Sequence, residues 1–300
     1  MKISEIITKM KAYHYGWIQG KKIDDRTTRD QILFGNPDVE CTGIVTTCWA
    51  NVDVIQQTIQ KGANLIICHE ALFWNHGDHT EWLEDQENKA YLEKKKLLKE
   101  NGIVVWRDHD YIHSGIPLED GSFVDGIFYG FAKVMGWQDD INKNISRKIE
   151  MSEGWDAFKE NKKTNPLSYT IPETTVGKLA SELIEKLNLN GVKLIGNVNQ
   201  KVSKISIPFH VFGDANYAIT LANENEVDCF LTMEIVDFTL AEYVKDASIL
   251  DHSISIIGMG HFNLEEPGMK YMVEYIPEAI GEKIPCTFIQ SGDTYSYITK

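Results

Sequence analysis

The chain has 300 residues and 34.2 kDa, with 43% hydrophobic and 25% charged residues. These values suit a globular chain of one large domain or two ordinary ones, with surface enough to bury a sizeable core. Thirty Lys and Arg against 44 Asp and Glu leave a net charge of −14, which argues against nucleic acid or an anionic membrane as the main partner, because binding phosphate needs clustered positive charge.

Ile3, Ile6, Ile7 and Met10 recur at helical spacing and predict an amphipathic opening helix. A polar segment, Gly16 to Asp30, follows. Strand Gly43–Trp49 then leads to helix Val52–Lys61, and strand Asn64–Cys68 to a long polar loop containing Glu81 and Trp82. Helix Leu83–Asn101, strand Ile103–Arg107 and helix Phe123–Met135 complete the first half. From Gly136 to Asn165 the chain is polar and without period, the pattern of a linker. A strand at Leu167–Ile171, helix Thr175–Leu187 and strand Val192–Ile195 open the second half. Strand Ser203–Pro208, helix Asp214–Asn225, strand Asp228–Thr232, helix Phe238–Lys245, strand Ser253–Gly258 and helix Glu266–Ile280 follow. Cys286–Gln290 is the last strand.

Strands alternating with helices at this spacing predict an α/β fold of βαβ units with mainly parallel sheets. The same order of elements occurs twice, so the expected architecture is two similar lobes, residues 1–138 and 139–300, with the last strand free to return to the first lobe. No run of eighteen apolar residues predicts a membrane span, and the N-terminus lacks the apolar stretch of a signal peptide. Five scattered cysteines without a CxxC pair fit reduced thiols and a cytoplasmic location rather than a disulfide framework or zinc ribbon.

The nine histidines carry the functional signal. His69, with Glu70 beside it, follows the strand NLIIC; His109 and His113 follow IVVWR; His261, with Glu265 four residues on, follows SISIIGMG. Side chains just past the carboxyl ends of strands converge on the binding crevice of an open α/β sheet. One such histidine is an ordinary loop residue. Three sites at three strand ends, two with acidic neighbours, predict a metal site in the crevice between the lobes, of a chemistry that suits zinc, manganese, iron, cobalt or nickel. His76, Asp78 and His79 lie in the loop after His69, as a solvated loop or a lid; His14, His210 and His252 are taken as structural. The phosphate loop GxxxxGK, the GxSxG elbow and HExxH are all absent from the sequence.

GANLIICHEALFW at 62–74, NGIVVWRDHDYIH at 101–113, VDCFLTME at 227–234 and GHFNLEEPG at 260–268 together resemble, in order, the motifs of the Nif-three-like family. RDQILFG at 29–35 is faintly similar to that family's N-terminal motif. These are proteins with a dinuclear metal centre, some of them named type 2 GTP cyclohydrolase I. The resemblance implies two divalent transition-metal ions held by His69, Glu70, His113, His261 and Glu265, with Glu265 bridging. It also implies a two-lobed fold assembled as a homohexameric ring. Glu70 stands where the family has a second His, and His113 where it has a bridging Asp. The total of three His and two carboxylates is kept.

The function this implies is a metal-dependent hydrolase acting on a small molecule such as a nucleotide or related heterocycle. A water activated between two ions about 3.5–4 Å apart attacks the substrate. Glu234 accepts a proton or orients a ligand, and His109, His76 and His79 are candidate proton shuttles or lid residues. The rival is a ring-shaped oligomer that stores metal or regulates without turnover; its metal sites would be coordinatively closed.

Overall fold

The structure is a computed structural model that describes residues 1–18, 20–140, 167–208, 216, 219, 220, 223 and 227–298. In chain order the first elements are helix α1 (Ile3–Tyr13), strands β1 (Trp17–Ile18), β2 (Lys21–Lys22), β3 (Ile32–Phe34) and β4 (Ile44–Thr47), helix α2 (Val52–Gln60) and strand β5 (Leu65–Cys68). Helices α3 (Glu81–Asp85) and α4 (Lys89–Glu100), strand β6 (Val104–Arg107), helix α5 (Asp110–Ser114), strands β7 (Ile116–Pro117) and β8 (Phe123–Val124) and helix α6 (Gly126–Met135) follow. Beyond them come strand β9 (Leu167–Thr175), helix α7 (Val176–Leu187), and strands β10 (Lys193–Ile195), β11 (Lys201–Ile207) and β12 (Cys229–Thr232). Helix α8 (Glu242–Ile249), strand β13 (Ser255–Gly258), helix α9 (His261–Ile280) and strand β14 (Cys286–Phe288) end the chain.

By its contacts the chain divides into two compact units, Met1–Gly130 with Glu266–Ser291, and Phe131–Glu265 with Gly292–Lys300. The first holds a five-stranded sheet in the order β14-β4-β5-β6-β3, parallel except for β3. Every residue of β4, β5 and β6 is buried, as in a sheet covered on both faces; β5 is apolar throughout, while Thr46, Thr47 and Arg107 are buried polar ends of β4 and β6. The second holds the order β10-β13-β12-β11-β9, with β11, β12 and β13 parallel and antiparallel strands at both edges. Each sheet thus has three successive parallel strands with an antiparallel strand beside the third: β3 beside β6, and β10 beside β13. This is the two-lobed α/β plan that the repeated order of elements predicts. They differ at the opposite edge, where β14 is parallel to β4 and β9 antiparallel to β11.

The predicted helix Leu83–Asn101 is two helices. Glu87 takes a left-handed φ of 47°, and Asn88 caps α4 by accepting the Tyr91 N–H at 3.0 Å. The region expected as a loop around Glu81 and Trp82 is α3 itself. Phe123 and Val124, expected at the head of a helix, pair instead with Ile116 and Pro117, and α6 starts at Gly126. The predicted helix Phe238–Lys245 is broken at Phe238 and Thr239, where a π-turn over Asp237–Ala241 precedes α8. Helix α9 begins at His261, five residues earlier than expected. Helix Asp214–Asn225, His210 and most of the linker stretch lie outside the described residues. Among the described residues no helix is long and apolar enough to cross a membrane.

Lys94 of α4 is 2% exposed. Its Nζ donates to the Leu72 carbonyl at 2.6 Å and lies 5.5–5.7 Å from the ring centres of Trp49, Phe73 and Trp74. This cation holds the loop that leaves β5. Burial pulls its pKa down from 10.5 to about 8, against the opposing pull of Cys68 and Asp78. Between pH 8 and 10.5 the unfolded chain holds this proton and the folded one releases it, so Lys94 adds stability as pH rises. At 1.36 kcal/mol per pH step the gain is about 3 kcal/mol. The wild type should therefore gain stability relative to Lys94→Met across that window, measured as urea unfolding of both proteins at pH 7.5 and 10.5. A difference that does not move with pH would refute the lowered pKa of Lys94 in the folded state.

Candidate metal centre

In the first unit β5 and β6 are neighbours, so the residues after them emerge side by side. His69 follows β5, His109 follows β6, and α5 carries His113 one turn beyond His109. The rings of His69 and His109 stack at 4.6 Å between centres, and His113 stands edge-on to both, at 5.0 and 5.1 Å. One donor atom from each lies within 4.8 Å of the other two, a group that could hold a metal ion.

Each ring is turned by a fixed acceptor on Nδ1. His69 donates to the Asp108 carbonyl at 3.0 Å, His109 to the Asp110 carboxylate at 2.9 Å, and His113 to the Asp125 carboxylate at 2.8 Å. An acceptor on Nδ1 keeps the proton there and the lone pair on Nε2, the tautomer a metal needs. Burial, with His69 and His113 alongside, pushes the pKa of His109 down to about 3 although Asp110 opposes it; the ring is neutral at pH 7. Burial would raise Asp110, but the hydrogen bond from His109 and those from Arg29 and Thr28 outweigh it and hold the carboxylate low.

Two acids that the sequence reading passed over hold this geometry. Asp30, 2% exposed, accepts the backbone N–H groups of His109, Asp110 and Tyr111 at 2.8, 2.9 and 3.2 Å and so fixes the start of α5. Asp125 accepts the N–H groups of Ile127 and Phe128 through Oδ1 while Oδ2 holds His113, so one side chain both caps α6 and aims a ligand. The cap was visible as an Asp before the apolar run GIFYGF; its histidine partner, twelve residues back, was not.

Glu70 offers a carboxylate oxygen within 4.8 Å of a His69 nitrogen, and its Oε2 also accepts from Arg107 Nη2 at 3.0 Å. Arg107, 1% exposed, donates further to the His69 and His76 carbonyls at 3.0 and 2.8 Å and to His76 Nδ1 at 3.2 Å. Its guanidinium therefore organises the 69–76 loop from within. His76 packs edge-on to His109 at 5.5 Å. Asp78 accepts the Phe73 N–H, and Asn75 binds both backbone groups of His79, so hydrogen bonds tie the turn while His76 and His79 stay exposed.

In the second unit Glu234 follows β12, and His261 and Glu265 stand one turn apart on the first turns of α9. Glu234 accepts from His261 Nδ1, and His261 Nε2 lies 3.1 Å from Glu265 Oε2. Two donors at right angles on one ion, each with a bond near 2.1 Å, stand about 3 Å apart. A lone-pair nitrogen and a carboxylate oxygen at this separation fit a shared cation. Glu234 and His261 follow the second and third parallel strands of their sheet, as His69 and His109 follow those of theirs.

The model of the Duf34/NIF3 (NGG1p interacting factor 3) family matches residues 120–294. The chain is 21% identical over 256 residues to a "GTP cyclohydrolase 1 type 2 homolog" of Clostridium acetobutylicum, covering 83% of this chain and 81% of that protein. It is also similar to the crystal structure of Staphylococcus aureus protein SA1388, with TM-score 0.64, 21% identity and 99% of both chains covered. Similarity to the Bacillus cereus protein related to NIF3 gives TM-score 0.63, 14% identity and again 99% of both chains.

Proposed function

Because the chain belongs to the Duf34/NIF3 family, we propose that it is a metal-dependent hydrolase of a small molecule such as a nucleotide or related heterocycle, working with two divalent transition-metal ions. The observation that carries this reading is that His69, His109, His113 and His261 all have Nδ1 engaged by an oxygen acceptor, the arrangement that prepares Nε2 for a metal. His69, Glu70, His113, His261 and Glu265 are the proposed ligands, grouped by the order of their sequence motifs. His109 joins them in this reading, because its Nδ1 is committed to Asp110 and its ring belongs to the three-histidine cluster. Glu234 orients His261.

Bound ions of this kind acidify a coordinated water and polarise the group under attack. His109, kept neutral by burial, supplies an uncharged donor, and the carboxylates offset the positive charge. The name of the Clostridium acetobutylicum relative points to a purine nucleotide as substrate class. The homohexamer is what the sequence resemblance implies, and five free thiols suit a reducing, cytoplasmic compartment.

The test is metal content by mass spectrometry on untagged protein, beside the His261→Ala, Glu265→Ala variant. About two transition-metal ions per chain in the wild type, reduced in the variant, is the expected result. No metal after reconstitution would end the hydrolase reading.

A further inference from the structure

The second unit contains a cavity of about 380 Å³, a size that accepts one small organic molecule. Glu234 and His261 lie in its wall. Opposite chemistry comes from Lys193 of β10 and from the C-terminal segment, which contributes Asp293, Tyr295 and Tyr297. That segment is pinned to the turn after α7. Asp293 Oδ2 accepts the Asn190 N–H at 3.1 Å, and Asn190 Nδ2 donates to the Tyr295 carbonyl at 2.8 Å. Asp293 Oδ1 accepts the Tyr295 N–H at 3.0 Å, which shapes the turn. The Tyr297 ring lies flat against Gly191, where a β-carbon would stand 2.9–3.2 Å from its ring carbons.

The hydrogen bonds fix the backbone of the segment and the Gly191 contact fixes the Tyr297 ring; both Tyr295 and Tyr297 line the cavity. Tyr295 is 58% exposed, so its ring is accessible to a molecule in the cavity. Two tyrosine rings offer faces for stacking a planar ring. The acids of the wall accept hydrogen bonds from ring N–H and amino groups, and Lys193 is the cation of the lining.

We propose that the segment Asp293–Tyr297 is the recognition wall of this cavity, and that the ligand it takes is a planar nitrogen heterocycle bearing an anionic substituent. Tyr295 and Tyr297 stack on the ring, and Lys193 meets the anion. The proposal rests on the small-molecule reading of the neighbouring residues and adds to it which residues choose the molecule. It places specificity in a segment held to the turn after α7 by two hydrogen bonds and one ring contact, so relatives with other residues in this segment should select other ligands with the same metal ligands.

The experiment is calorimetric titration of the metal-loaded protein with guanosine 5′-monophosphate, guanosine and ribose 5-phosphate. The wild type is compared with Tyr295→Ala/Tyr297→Ala, Lys193→Met and Gly191→Ala, and metal content is measured on every sample. The tyrosine variant should bind both guanosine compounds about tenfold or more weaker, the loss expected for a base–aromatic stack. Lys193→Met should weaken the monophosphate and leave guanosine unchanged. Gly191→Ala, which displaces the Tyr297 ring and removes no lining group, should weaken both. Metal content should not change in any variant. Unchanged guanosine binding in the tyrosine variant, no binding of either guanosine compound by the wild type, or tighter binding of ribose 5-phosphate than of the monophosphate would each overturn the proposal. Loss of the hydrolase reading has a different signature: guanosine compounds bound with the expected variant pattern, and no hydrolysis of any of them.

Discussion

Asp125→Asn is expected to weaken metal binding about 10- to 100-fold while changing stability by less than about 1 kcal/mol. The carboxylate has two tasks. Oδ1 accepts the Ile127 and Phe128 N–H groups at the start of α6, at 2.9 and 3.2 Å, and Oδ2 accepts from His113 Nδ1 at 2.8 Å. Asparagine is as good an N-cap as aspartate, so the first task survives. The second does not, because the amide nitrogen would face Nδ1–H donor to donor. His113 then turns or changes tautomer, and Nε2 is no longer presented as a lone pair. Asp125→Ala should lose the same metal affinity and about 1 kcal/mol of stability besides. Competition with a chromophoric chelator gives the affinity, and thermal unfolding of the metal-free proteins gives the stability. An Asn variant with wild-type affinity would remove His113 from the ligand set.

That pairing shows what the sequence could and could not disclose. The strands β4, β5 and β6 were legible because both faces are covered, and each reads as a short run of mostly apolar or β-branched residues. The chemistry-bearing residues were legible because strand ends are where open α/β sheets place them. Elements of two to five residues, such as β1, β2, β7, β8 and α5, are too short to show a period. They come from long-range pairing, as when Asp30 captures the start of α5 from 79 residues away. The early start of α9 was hidden for another reason. Pro267 suggests a helix beginning beside it, since proline favours the first turn, yet it lies inside the helix here. His261 and Glu265 therefore share one helical face, where the sequence suggested a loop before a helix. Asp110 and Asp125 were in plain view as acids; which histidine each would hold depended on the folded path of the chain.

Gly268→Ala is expected to destabilise the protein by about 3 kcal/mol, at the upper end of overpacking costs. Helix propensity alone predicts the opposite, because alanine is favoured over glycine by about 1 kcal/mol in a helix interior. Steric contact decides the sign. A β-carbon on Gly268 would stand 2.4 Å from Ile127 Cα and 2.8 Å from its carbonyl oxygen. One on Gly130 would stand 2.6 Å from Gly268 Cα and 2.7 Å from the Pro267 carbonyl oxygen. Helices α6 and α9 therefore meet backbone against backbone here, and no rotamer change can relieve an added methyl group. The helices must separate, opening the packing around Ile127, Phe128 and Met269, all buried. A loss of this size should lower the melting temperature by roughly 5–10 °C for a chain of this length. The displacement reaches the histidine cluster as well. Asp125 sits at the head of α6, so moving that helix moves the carboxylate that aims His113. Gly268→Ala should thus lose metal affinity together with stability, whereas Asp125→Asn loses affinity alone. A variant that melts at or above the wild-type temperature would show that α6 and α9 do not meet at this distance.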